Sequence, residues 1–228
     1  MFRASRAFSL PAVPNSVTEE KISLWNDLGL DLHYVPKFEI SERCEVPEWY
    51  ELPHKQIYRE MTAGKVSTEA VHLPGRWLLI ERFSKPHNSR LWLSKQELGW
   101  LGSHARRALA LGSHPTFRND PLQAVLAQRG WKGRTCLSFL DIQSLRTQAA
   151  AVFCVDATRL RLPKFAEYNF LGNVWYPEWK TTNTWEWLDD RRGHRQRLVS
   201  GSRSVGIVGW DPEEHWSARL LFRFVVEA

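Results

Sequence analysis

The chain has 228 residues, 43% hydrophobic and 25% charged, with a formal net charge of +6. These values suit one large soluble globular domain or two small ones. No apolar run reaches membrane-spanning length, and the three cysteines, Cys44, Cys136 and Cys154, lack the spacing of a zinc site or a disulfide framework, which fits a reducing, cytoplasmic compartment.

The first residues, MFRASRAFSLPAVPNS, are basic and free of acid; their apolar stretch is too short for a secretory signal, so a flexible leader is expected. Ser16-Val-Thr-Glu19 reads as a capping box, with Ile22, Trp25 and Leu28 at helical spacing before Gly29. Prolines 36, 47, 53 and 74 predict loops and short strands from Asp31 to Pro74. GRWLLIERF, residues 75–83, reads as a buried strand after a turn. Ser94-Lys-Gln-Glu97 opens a predicted helix through Ala110. His104 and His114 within and after it lack a third ligand at a matching offset, so they do not read as a metal pair. Asn119-Asp120-Pro121 followed by LQAVLAQRG is a punctuated helix ending at Gly130. Another is expected from Asp141 to Cys154, with Ile142, Leu145, Ala149 and Val152 on one face. An apolar strand is expected from Leu220 to Val226, paired inside a sheet because an exposed one invites aggregation.

The last third of the chain is dense in Trp, Phe and β-formers. Leu162-Pro163-Lys-Phe-Ala166-Glu167-Tyr168, then Asn183-Thr184-Trp185-Glu186-Trp187, then Arg197-Leu198-Val-Ser-Gly201-Ser and finally Leu221-Phe222-Arg223 stand in the order of four motifs of C-type-lectin-fold proteins related to the formylglycine-generating enzyme (sulfatase-modifying factor) family. The pattern most resembles the variable proteins of diversity-generating retroelements, and LPGRWLLIE at Leu73–Glu81 shares that look. The resemblance implies a C-type-lectin-like domain over 71–228 with a candidate variable binding surface at 200–219; it says almost nothing of residues 1–70, which the caps and prolines above make a helical, loop-rich region, so an α+β chain is expected. The family's oxidases need a late cysteine pair, and no cysteine follows Cys154. Because that chemistry requires an oxidisable thiolate, the resemblance implies binding without catalysis, with a divergent formylglycine-generating-type enzyme as the alternative.

The expected surface contains Ser202, Arg203, Ser204, Trp210, Asp211, Glu213, Glu214, His215, Trp216 and Arg219. Its aromatics offer rigid contact area and its polar groups hydrogen bonds, the chemistry that recognises a protein or other macromolecular ligand. Trp185 and Trp187, two apart, are expected in the core, with Glu186 facing the other way; buried there, it needs Arg or backbone donors, and the nearby Arg192 or Arg197 can serve. No cofactor is expected. Calcium stays open, because Asp189, Asp190, Asp211, Glu213 and Glu214 are ligands of the right kind without EF-hand spacing, and the related fold can hold that ion. The basic run Arg191 to Arg197 and the pI near 9.4 keep nucleic acid as a less favoured partner, since no zinc finger, recognition helix or RNP-type strand accompanies them. No GxSxG, GxxxxGK[ST], HExxH or GxGxxG motif is present, and His215 beside Glu213 and Glu214 on one loop is a poor acid–base pair.

Overall fold

A computed structural model describes residues 10–41, 49, 51–83, 120–131, 133–217 and 219–228. The helix expected at Ser94–Ala110, His104, His114 and Cys44 lie outside them. Among the described residues the architecture is α+β, built on two four-stranded sheets. Among the described residues no helix is long and apolar enough to cross a membrane.

Helix α1 (Glu19–Asp27) is capped by Thr18, whose hydroxyl accepts from Lys21 N at 3.4 Å. The cap thus lies two residues beyond the Ser16 expected from the sequence. Strand β1 (Leu30–Glu39) follows, then α2 (Lys55–Thr62), a 3-10 turn at Thr68–Val71 and β2 (His72–Glu81). The prolines do not reduce this region to loops and short strands, because β1 is an edge strand of ten residues. Its pairing with β2 steps from Val35↔Arg76 to Lys37↔Pro74, and an edge tolerates the missing N–H of Pro36. The boundary drawn at residue 70 therefore falls between two strands that pair along almost their whole length.

Helix α3 (Gln123–Gln128) starts where Asp120 Oδ1 accepts from Leu122 N at 2.9 Å, and Gly130 follows its end in the left-handed region. Helix α4 (Phe139–Val152) begins two residues before the expected Asp141. A capping box between Ser138 and Asp141 fixes its start. Strand β3 (Leu160–Arg161) and helix α5 (Phe165–Val174) precede β4 (Trp185–Arg192), β5 (Gln196–Ser200) and β6 (Val208–Pro212).

The closing apolar run is not one strand. It divides into β7 (Leu220–Leu221), which pairs parallel to β4, and β8 (Val225–Glu227), which pairs with β2 and β3. One sheet runs β1-β2-β8-β3 and the other β6-β5-β4-β7. The chain crosses between them at Phe222-Arg223-Phe224, all three fully buried. Two apolar cores flank the sheets. The first joins Trp25, Leu79, Ile142, Leu145 and Trp187; the second joins Ile80, Val225, Leu198 and the apolar side chains of α5. Alternation along β2 sends Leu79 to the first core and Leu78 and Ile80 to the second, as a strand covered on both faces requires.

Candidate functional site

The surface expected at 200–219 stands on a framework of buried charges. Trp185 and Trp187 face the first core, as their spacing predicts, and Trp187 Nε1 donates to Leu137 O at 3.0 Å. Glu186 is fully buried, but its partner is Arg223, at 3.1 and 3.2 Å, rather than Arg192 or Arg197. Arg223 also donates to the carbonyls of Glu81 and Phe83 and lies 4.1 Å from the Trp179 ring centroid. Beside it Glu81 takes both terminal nitrogens of Arg134 at 2.6 Å, and Asp120 takes that guanidinium from the other side. Burial works against the charge of Arg134, but its two carboxylates more than offset this, so its pKa lies above the ordinary arginine value. A third pair joins Arg161 to buried Glu167 through two bonds of 2.7 Å. Glu167 Oε2 also accepts from Lys164 N, and Asp190 from Phe165 N, so α5 is capped by two carboxylates although Lys164 itself has no capping oxygen.

The segment 201–207 is pinned to α5 and to the residues just before α2. Val205 is fully buried; its N–H donates to Glu51 Oε2 at 2.9 Å and its carbonyl accepts from Asn169 Nδ2 at 3.0 Å. His54 N donates to Gly206 O at 2.7 Å, and a side chain at Gly206 would overlap Leu52 O. Gly172 on α5 likewise faces Val205 so closely that a Cβ would overlap its side chain. Ser202 and Ser204 are half-buried, while Arg203 is exposed with φ +61° and its N–H bound to Thr182 O at 2.7 Å.

The ten expected residues fall into separate groups. Ser202, Arg203 and Ser204 precede β6, whereas Glu213, Glu214, His215, Trp216 and Arg219 follow it; five strand residues separate the ends by about 17 Å. Within β6, Trp210 packs on the second core and Asp211 points to the opposite face. Arg192 lies 4.1 Å over the Trp210 ring and is itself held by Glu60 at 2.8 Å and Gln196 at 2.6 Å. Glu213 is tied to Arg197 at 2.8 Å, and Arg197 stacks 4.0 Å over Phe139. Burial raises the pKa of Asp211, opposed by His215, whose Nε2 lies 3.9 Å away. Glu214 and His215 are exposed, and Trp216 and Arg219 are half-buried.

The basic run divides in the same way. Arg192 and Arg197 are held by carboxylates, while Arg191, His194 and Arg195 are exposed around the β4–β5 turn. The carboxylates weighed for calcium are dispersed among these roles, and among the described residues no group of three His, Cys, Asp or Glu is placed to hold a metal ion. Cys136 is buried and Cys154 exposed, both as free thiols.

Sequence reasoning missed the Glu51, Asn169 and Asn173 cluster. Asn169 Oδ1 accepts from Trp49 Nε1 at 2.5 Å, and Asn173 Oδ1 from Glu51 N at 2.8 Å. More than a hundred residues separate these partners, so no local spacing announces them. No family model matches the chain, and no match is found among curated proteins or solved structures.

Proposed function

We propose that this protein is a non-catalytic binding protein with a C-type-lectin-like scaffold, whose recognition surface is carried by residues 200–219. The observation that carries the reading is a division of labour within that segment. Its backbone is fixed by Glu51, Asn169, Thr182 and Arg195, while Arg203, Glu214 and His215 are exposed on it. A rigid carrier under variable side chains lowers the ordering cost of binding and tolerates exchange at the exposed positions. Two groups of contacts at the ends of β6 suit a macromolecular ligand better than a small molecule.

The scaffold assignment draws support from the motif residues themselves. Glu186 and Arg223, each in one of the motifs, are mutual partners, Glu167 is held by Arg161 just before its motif, and β2, which contains Leu73, pairs with β8, which follows Arg223. Such a surface suits diversification of the retroelement kind. The test is sequencing of codons 139 to 228 across a host population. Substitutions clustered at 200–219, with Glu167, Glu186 and Arg223 fixed, are expected. Sparse variation spread evenly would remove the retroelement reading and leave a fixed-specificity binder.

A further inference from the structure

The β1-β2-β8-β3 sheet extends beyond the helix that covers it. Among the described residues its face past the N-terminus of α5 forms a groove of about 680 Å³, within the size range of ligand pockets. Phe38, Leu73 and Pro74 give it an apolar part. Its charges are sorted along its length. At one end His72 lies between two carboxylates, with Nε2 3.3 Å from Glu39 and Nδ1 3.9 Å from Glu69. Nδ1 makes no hydrogen bond among the described residues. A neutral imidazole carries one N–H, so at least one carboxylate receives no donor from it, and with Lys37 two residues from Glu39 on β1 this end stays net negative while the ring is neutral.

At the other end three cations face two carboxylates. Glu227 takes Arg76 at 2.6 Å and Arg161 at 3.0 Å, and Glu167 is committed to Arg161 and to Lys164 N. The Lys164 ammonium, lining the groove, makes no ion pair among the described residues. His72, Leu73, Pro74 and Arg76 all line the groove, and the four-residue step along β2 from His72 to Arg76 sets the acidic and basic ends about 13 Å apart.

We propose that this groove binds a short peptide with free termini, its ammonium between Glu39 and Glu69 and its carboxylate against Arg76 and Lys164. Four extended residues span about 13 Å, matching the separation of the two ends. Each charge placed there meets an incompletely neutralised opposite charge, and the middle of the peptide lies along Phe38 and Pro74. Terminal capture of this kind gives both orientation and length selection. The site lies on a different sheet from the hairpin surface and does not depend on the proposed recognition role.

Calorimetric titration of the full chain with tetra-alanine tests the proposal, against the same peptide acetylated, amidated or both. Capping both ends is expected to weaken binding by roughly tenfold or more. In Glu39→Gln/Glu69→Gln acetylation should cease to matter while amidation still weakens binding; in Arg76→Gln/Lys164→Gln the reverse is expected. Glu39, Glu69 and Arg76 are well exposed, at 67, 66 and 43%, so an unchanged melting temperature verifies the fold of these variants. Equal binding of free and capped peptides overturns the proposal. So does the absence of heat at roughly 10 mM free peptide, or binding of uncharged maltotriose when the peptide is silent.

Discussion

Two sets of charged residues in the C-terminal third have opposite fates. Glu167, Glu186, Arg161 and Arg223 are buried or nearly so and satisfy one another. Arg203, Glu214 and His215, from the same stretch of chain, are exposed. Composition does not distinguish the sets; what distinguishes them is whether a partner arrives from another element. A buried ion that loses its partner retains its desolvation cost, whereas an exposed ion that loses a neighbour is solvated by water. The difference predicts which positions resist substitution and which accept it.

The largest expected effect is therefore at the crossing between the sheets. Glu186→Ala leaves Arg223 buried without its carboxylate and should destabilise the fold by about 3–5 kcal/mol. Removing both partners, in Glu186→Gln/Arg223→Met, should cost less than the single change, read as denaturation midpoints. If Glu186→Ala is no worse than a surface substitution, the framework does not exist as described.

A second way to sharpen the contrast is pH. His33 donates from Nε2 to Tyr176 Oη at 2.7 Å, and Tyr176 in turn donates to Asp31 at 3.0 Å. Burial, opposed by Asp31, lowers the His33 pKa to about 4. The unfolded chain then binds a proton near pH 6.5 that the folded chain refuses, so this stability is present above pH 6.5 and lost as pH falls towards 4. Asp190 behaves oppositely. Burial raises its pKa to about 6, so the folded chain holds a proton that the unfolded chain releases. Its contribution is present at low pH and lost as pH rises from about 4 to 6. The two partly cancel in the wild type. Asp190→Asn should expose the His33 slope, up to about 1.4 kcal/mol per pH unit, and His33→Asn should reverse its sign. Identical pH profiles for both variants and wild type would refute the pairing.

What was legible in the sequence was local. The stop at Gly130, the helical spacing of Ile142, Leu145 and Ala149, and the period of two at Trp185 and Trp187 each lie within a few residues of their consequence. What was not legible required partners far away in sequence. Glu186 finds Arg223 across 37 positions, and Glu81 finds Arg134 across 53. The two arginines expected to serve Glu186, Arg192 and Arg197, are instead taken by Glu60 and Glu213. Pro36 misled because its cost depends on edge or centre, a property of the sheet rather than of the strand. Helix α2 was missed because, lying among prolines, its buried residues are only Ile57 and Glu60. At the candidate surface the residue types were legible, but the strand in their midst was not. Consequently Trp210 and Asp211, adjacent in sequence, serve different faces.

Trp210 marks the border between the two sets. Its ring packs on the second core and under Arg192, so Trp210→Ala should cost about 2 kcal/mol. Any binding loss in that variant must be measured below its lowered melting temperature to be attributed to the surface. Trp210→Phe keeps the packing and should recover most of the stability.

The smallest expected effect is the one that decides the functional reading. Arg203→Ala, Glu214→Ala and His215→Ala should each change stability by less than about 0.5 kcal/mol, because Arg203 is anchored through its backbone N–H and His215 meets Asp211 only at 3.9 Å. The three sites lie on both sides of β6, so their effects should add. A display library randomised at these positions should therefore yield folded protein in most clones, and its selected binders should differ from wild type in specificity while sharing its melting temperature. A library in which most clones unfold would place these side chains in the framework and remove the distinction on which the binding surface rests.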